Sequence, residues 1–330
     1  MEYYLSIKQR KYNLKKEWRN SLNIVFMGTN DFSVPSLKEL IKNYDVKAVF
    51  TQPDRPKGRG NKLSFPPVKE LAIKEGIPVY QPEKIRNDAQ SLAVLKEINP
   101  DFIIVVAFGQ ILPKEIIELP KFACINLHAS LLPKYRGAAP INWSIVKGEM
   151  VTGNTTMLMD VGLDTGDMLL KQEVEITDTM TAGELHDILM ENGSKLLIET
   201  IEKYVKGEIT PIKQDDGLSS YASMIKKENA KIDWNKSSTE ISCLVRGFYP
   251  WPIAFSEYEN VIMKVYEVEV LKEKSDKAPG SIIKVTAEGI KVASKDGVIL
   301  IKKIQFPGKK AIEVKEYIKG NNIKEGITLK

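Results

Sequence analysis

Cysteine and histidine are scarce: the 330 residues hold two of each, Cys124 and Cys243, His128 and His186. The two cysteines lie far apart, so neither a disulfide framework nor a usual zinc spacing is available, and a reducing, cytoplasmic setting without a metal is expected. No apolar stretch approaches the roughly 20 residues that a membrane-spanning helix needs. The basic opening MEYYLSIKQRKYNLKKEWRN lacks the apolar core and small-residue cleavage site of an export signal, so no membrane association is expected. Glycine is missing where a dinucleotide site would need it. The first strand-to-helix junction, MGTNDF, carries Gly28 alone, without the G-x-G-x-x-G spacing that brings backbone up to a pyrophosphate. GRGNKLS does not align with G-x-x-x-x-G-K-[ST] either, which sets aside a nucleotide hydrolase. Asp164-Thr165-Gly166 is the chain's single Asp-Thr-Gly triplet, and aspartic protease chemistry needs two such carboxylates, so that reading would demand a symmetric dimer.

What the chain does have is charge, unevenly placed. Residues 1–20 hold six Lys/Arg against two Glu (+4), residues 211–330 hold 21 against 16 (+5), and residues 21–210 hold 21 against 25 (−4). Basic ends suit a polyanionic partner such as nucleic acid, because each neutralised phosphate releases counterions; a solvated lysine-rich surface would give the same pattern. The apolar share of 43% is that of a soluble globular chain, long enough for two ordinary domains.

From Asn23 onward short apolar runs alternate with helical spacing: NIVFMG, VPSLKELIKN, DVKAVFT, a turn-rich loop, PVKELAIKEG, then DFIIVVAF (101–108), ACINLHAS (123–130) and NTTMLMD (154–160), closed by a helical stretch over 182–204. This predicts an α/β fold, a Rossmann-like parallel sheet forming a catalytic domain over 21–206 behind a basic N-terminal extension, 1–20. KGEITPIKQDDGLSS breaks the period and is rich in turn formers, so a linker is expected at 207–220. Beyond it, 221–330 opens with the helical STEISCLVRGF and continues as short alternating runs near 254–258, 261–271, 280–285, 289–293 and 298–304, which predicts a second, smaller β-barrel domain.

Two histidines narrow the search for a proton-transfer group. His186 lies in the helical TAGELHDILMENGSKLL, where a packed or solvated imidazole is expected. His128 stands two residues after Asn126 at the end of an apolar run, and alternation sets both on one side, near the carboxyl end of a parallel strand where open α/β sheets hold their ligands. On these two residues alone, a polar strand end capped by solvent is an equal reading. A long loop, SLLPKYRGAAPINW, follows; then MDVGLDTGDML sets Asp160, Asp164 and Asp167 around Gly162 and Gly166 in a turn between two strand-like runs. A carboxylate there could reach back to orient the imidazole.

Asn126, His128, Ser130–Pro133 (SLLP) and Asp164 within GLDTGD, in that order and preceded by VVAFGQILPK (105–114), resemble the signature of the 10-formyltetrahydrofolate-dependent formyltransferases. From about residue 22 the chain looks most like the branch of that family that formylates methionine on initiator tRNA. TQPDRPKGRGNKL (51–63) resembles that branch's inserted loop, and RGFYPWPIAF (246–255) and PGKKA (307–311) resemble its C-terminal-domain motifs. The resemblance implies that Asn126, His128 and Asp164 are catalytic and that Gly109, Gln110, Ile111, Leu112, Ser130, Leu131, Leu132 and Pro133 line the folate, largely through backbone. It implies tRNA contacts by Arg55, Lys57, Arg59 and Lys62, in a loop that Pro53, Pro56, Gly58 and Gly60 should leave flexible until bound. It also implies an OB-like C-terminal barrel, 10-formyltetrahydrofolate as co-substrate with no metal, and initiator Met-tRNA as the partner of a monomer. The same chemistry on a nucleotide-sugar amine or a glycinamide ribonucleotide, or hydrolysis of the formyl group, is the alternative. Phe108 stands where tyrosine is common in the family and RGFYPWP where RAFNPWP is common, and neither change removes a group given a chemical role. Residues 1–20 lie outside the resemblance.

Overall fold

The computed structural model describes residues 22–57 and 62–330; the expected extension 1–20 and Arg59 lie outside the described residues, as do the side chains of Lys57 and Lys62. Strand β1 (Asn23–Gly28) is buried from Ile24 to Gly28, as a central strand covered on both faces must be. It leads into α1 (Val34–Asn43), begun with Pro35 in its first turn and packed through Leu37 and Leu40, and β2 (Asp45–Phe50) then pairs with β1 in parallel. Strands β3 (Arg55–Lys57) and β4 (Lys62–Ser64) form an antiparallel ribbon, with Arg55 opposite Ser64 and Pro56 opposite Leu63. Where prolines and glycines suggest a flexible loop, its flanks are thus paired.

Next come α2 (Pro67–Lys74), β5 (Val79–Tyr80), α3 (Ala89–Ile98) and β6 (Phe102–Val106). Asp88 caps α3 by accepting the Ser91 N–H at 3.2 Å, and Asn99 ends the helix in the left-handed conformation, φ 47°. The chain continues through α4 (Lys114–Ile117), the fully buried β7 (Ala123–His128), the two-residue β8 (Arg136–Gly137), α5 (Pro140–Val146), β9 (Val151–Leu158), β10 (Met168–Glu175) and α6 (Ala182–Val205).

The large sheet has the order β10-β9-β7-β6-β1-β2-β5. Strands β5, β2, β1, β6 and β7 run parallel. β9 does not: it pairs antiparallel with β7, placing Met157 opposite Asn126 and Thr155 opposite His128. The parallel sheet expected from strand–helix alternation is thus present in five strands, and β9 extends it as an antiparallel strand, which makes the whole sheet mixed. The chain forms two compact units, residues 22–136, 153–173 and 187–220 in one and residues 137–152, 174–186 and 221–330 in the other. Helix α5, the helix between β7 and β9, belongs to the second unit. On one face of the first unit's sheet, Val25, Met27, Phe50, Ile103, Val105 and Cys124 form a core closed by Phe108 and Leu112.

In the second unit, Ala222 of β11 (Tyr221–Ala222) accepts the Ala138 N–H at 2.9 Å. Helix α7 (Ser238–Gly247) starts with a capping box: Ser237 Oγ accepts the Glu240 N–H at 3.2 Å and the Glu240 carboxylate accepts the Ser237 N–H at 2.9 Å. β12 (Ala254–Tyr258), β13 (Val261–Leu271), β14 (Ile282–Thr286), β15 (Gly289–Ala293) and β16 (Val298–Gln305) form an antiparallel sheet of order β12-β13-β16-β15-β14. β17 (Ile312–Glu313) pairs with β16, and α8 (Val314–Tyr317) follows it. Alternation turns Ala254, Ser256 and Tyr258 inward, and Trp234 packs among Ile241, Val265, Ile299 and Ile301 while its indole N–H donates to Ser256 Oγ at 3.0 Å. This unit is sheet-rich, as its alternating runs predict. Among the described residues no helix is long and apolar enough to cross a membrane.

Candidate functional site

Period two places Cys124, Asn126 and His128 on one face of β7. Cys124 is sealed in the core, where burial pushes its thiol up and removes it from nucleophilic use. Asn126 and His128 follow toward the strand's carboxyl end, only 8% and 6% exposed. The Asn126 carboxamide forms no hydrogen bond with the described residues, which is uncommon for a buried amide and leaves it open to a ligand. His128 Nε2 lies 2.9 Å from the Tyr135 carbonyl oxygen and must be the donor, because that oxygen can only accept. Its Nδ1 lies 3.6 Å from Asp164 Oδ2, beyond hydrogen-bond reach but within range of a strong charge interaction. Both ring nitrogens thus face acceptors.

Asp164 belongs to the loop between β9 and β10. Its backbone is left-handed, φ 53°, a conformation that aspartate tolerates better than most side chains do. Two residues on, the chain passes so close to β9 that a Cβ on Gly166 would lie 1.8 Å from the Leu158 carbonyl oxygen. Gln214 Nε2 donates to the Asp164 and Gly166 carbonyls, both at 2.8 Å, and Gln214 Oε1 accepts two Arg136 N–H groups at 3.0 and 2.9 Å. Asp160 and Asp167 instead line a cavity of 380 Å³ with Lys213 and Gln214.

The SLLP turn after β7 is held from within. Thr155 Oγ1 donates to the Ser130 carbonyl at 2.7 Å and accepts the Leu132 N–H at 3.1 Å, and Ser130 Oγ donates to the Lys134 carbonyl at 2.6 Å. Lys171, on β10, donates its ammonium to the Leu132 carbonyl at 2.5 Å, and burial holds that ammonium below the usual lysine range. Ser130 and Leu132 are buried, while Leu131 and Pro133 are half-buried.

After β6, Ala107 and Gly109 are both left-handed, φ 44° and 79°. Phe108 O accepts from Thr29 Oγ1 at 2.8 Å and from Gln52 Nε2 at 3.2 Å, and Gly109 O accepts from Gln52 Nε2 at 3.1 Å. Gln110 uses its carboxamide on the Ile85 N–H and the Pro82 carbonyl, and Leu112 lies in the core, so both offer a ligand only their backbone. Ile111, 69% exposed, keeps its side chain at the surface.

Arg55 is exposed on the β3–β4 ribbon, which leaves the sheet after β2; Lys57 and Lys62 are opposite each other in the same ribbon. At its root, Asp54 takes hydrogen bonds from Lys69 at 2.5 Å and Gln81 at 2.8 Å, which hold its carboxyl below the usual range. His186 is half-buried on α6. Among the described residues no group of three or more His, Cys, Asp and Glu side chains could hold a metal ion. Sequence reasoning passes over Thr29, Gln52, Tyr135, Arg136, Lys171 and Gln214. Thr29 is the first residue after β1 and Gln52 the second after β2, where the carboxyl-end rule points. Tyr135 and Arg136 lie in the long loop that sequence reasoning does single out.

Residues 22–201 match a family model described as formyl transferase, and residues 224–322 match one described as formyl transferase, C-terminal domain. A methionyl-tRNA formyltransferase of Clostridium novyi (strain NT) is 60% identical over 309 residues, covering 94% of this chain and 100% of that protein. Another, of Clostridium tetani (strain Massachusetts / E88), is 60% identical over 308 residues, covering 93% and 99%. Among solved structures, a sugar 3N-formyl transferase crystallised with dTDP and 5-N-formyl-THF superposes with a TM-score of 0.64 at 24% identity, over 88% of this chain and 99% of that one, a likeness of fold.

Proposed function

Because this chain belongs to the formyl transferase family, we propose that it transfers the formyl group of 10-formyltetrahydrofolate to the α-amino group of methionine on initiator tRNA. The observation that carries the reading is the pair at the end of β7, a buried Asn126 amide without a hydrogen-bond partner among the described residues, beside an imidazole whose Nδ1 faces Asp164. The free amine, whose ordinary pKa is about 7.7–8.0, attacks the formyl carbon, and the carbonyl oxygen becomes an oxyanion. Asn126 Nδ2–H and His128 Nδ1–H, neither used within the described protein, donate to that oxygen. Collapse breaks the bond to the folate N10, which takes up the proton released by the amine by way of water. The His128 Nε2 bond to the Tyr135 carbonyl keeps the ring turned so that Nδ1 is the working nitrogen.

The folate lies against the backbone of Gly109–Leu112 and the Ser130–Pro133 turn, and no metal takes part. Arg55, Lys57, Arg59 and Lys62 hold the acceptor end of the tRNA through its phosphates, and the C-terminal sheet domain, closed as an OB-like barrel, adds basic contacts. The protein works as a monomer in the cytoplasm. The test supplies 10-formyltetrahydrofolate with charged initiator tRNA, charged elongator tRNA, free methionine or an amino sugar nucleotide. Rapid formylation of the first alone is expected; preference for any other amine, or formate release without transfer, would refute the proposal.

A further inference from the structure

We propose that Gln214 is the positioning residue that sets the Asp164 carboxylate against His128, an inference that rests on the reading of these two residues as the reacting pair. Gln214 is 50 residues from Asp164 in sequence and only 6% exposed. Its carboxamide nitrogen donates to the carbonyls on either side of Thr165, at 2.8 Å each, so one side chain closes the turn that carries Asp164. Its oxygen is fixed by the two Arg136 N–H bonds, and Arg136 in turn donates to Asp216 at 2.8 Å. The amide is thereby locked in one orientation, oxygen toward Arg136 and nitrogen toward the turn. The tie bears on Asp164 because φ 53°, though aspartate tolerates it better than most residues, is not the conformation it prefers. Without the two N–H bonds the turn loses a tie that opposes relaxation toward right-handed φ, a change that moves the carboxylate relative to Nδ1.

Gln214→Glu tests the tie. Glutamate keeps the shape and still accepts from Arg136, but as a carboxylate it has no N–H to give. Gln214→Met removes both functions. In the full-length chain each variant should lower kcat for charged initiator tRNA by about 10- to 100-fold while leaving KM for folate and tRNA within about twofold, the pattern of a misplaced reacting group. The chain's two histidines permit a direct readout: the 15N resonance of His128 Nδ1 should move in both variants while that of His186 stays, with His186→Asn giving the assignment. Wild-type kcat in Gln214→Glu, or an unmoved His128 resonance in it, overturns the proposal, and this variant decides alone if Gln214→Met does not fold. Should the wild-type chain fail to formylate charged tRNA, the functional reading falls, whereas the His128 resonance still reports whether Gln214 sets the pair.

Discussion

Replacing Asp164 with asparagine removes one charge and almost no volume, so it isolates what the carboxylate does for His128. The two side chains are 3.6 Å apart and nearly buried, 7% and 14% exposed. Two unit charges at that distance, with an effective dielectric of about 20, attract by about 5 kcal/mol, which is the upper bound for what the carboxylate can give a ring that gains charge. Part of this is recovered by the asparagine dipole and by water. About 2–4 kcal/mol of transition-state stabilisation should remain at stake, which is a loss of about 30- to 1,000-fold in kcat. The measurement is single-turnover formylation of charged initiator tRNA at saturating folate, in Asp164→Asn, His128→Ala and the double variant. Because the carboxylate is held to act through the imidazole, the double variant should be scarcely slower than His128→Ala alone. An Asp164→Asn rate within about threefold of wild type, or independent losses that multiply in the double variant, would refute the reasoning.

Lys171→Met keeps an unbranched side chain one atom shorter but removes the bond to the Leu132 carbonyl, so KM for folate should rise about tenfold with kcat little changed, the scale of one hydrogen bond from a charged donor. The folded-state value of Lys171 is lowered by burial, so between that value and the ordinary one near 10.4 the unfolded chain binds more protons. Wild-type stability should therefore gain from rising pH across that window, and urea titrations of Lys171→Met should lack this gain. Thr181 and Glu184 cap the start of α6: Glu184 accepts the N–H and O–H of Thr181, both at 2.8 Å, which holds its carboxyl below the usual range. Thr181→Ala should cost about 1 kcal/mol at neutral pH. Glu184's contribution is complete above its unfolded value and lost as pH falls through its lower folded value, so the melting-temperature gap between variant and wild type should narrow in acid.

Asn126 and His128 are legible in the sequence because strand alternation and the carboxyl-end rule act over a few neighbouring residues. By pattern alone Asp164 is one of three carboxylates in a glycine-bearing turn; the family resemblance singles it out, and the structure sets it 3.6 Å from His128. The direction of β9 is not legible, since a strand pattern reads the same both ways and nothing in PINWSIV says that the helix belongs to the other unit. Gln214 is hidden for a further reason: it stands in a polar, turn-rich stretch that reads as a linker, yet it is buried against Arg136 and the Asp164 turn. Neither composition nor periodicity marks a single buried amide whose partners are 48 to 78 residues away. Lys171 is hidden likewise, because its partner is a backbone carbonyl 39 residues back.

The reversal of β9 explains why Asp164 depends on ties outside the strands. Running antiparallel to β7, β9 leaves the sheet at its wrong end: the Met159 N–H donates to the Cys124 carbonyl at 2.8 Å, four residues and roughly 13 Å short of His128. The loop re-enters at almost the same level, where the Leu158 N–H donates to the Asp167 carbonyl at 2.9 Å. Between these two points the chain must fold back along β7 for Asp164 to come within 3.6 Å of Nδ1. A parallel strand would have delivered its following loop to the carboxyl edge directly. In this mixed sheet the excursion is instead shaped by the left-handed Asp164, by a pass against Leu158 that only glycine at 166 permits, and by the two bonds from Gln214. The proposed chemistry thus depends on residues that form no bond to His128, because the strand order that builds the pocket wall does not by itself bring the carboxylate to it.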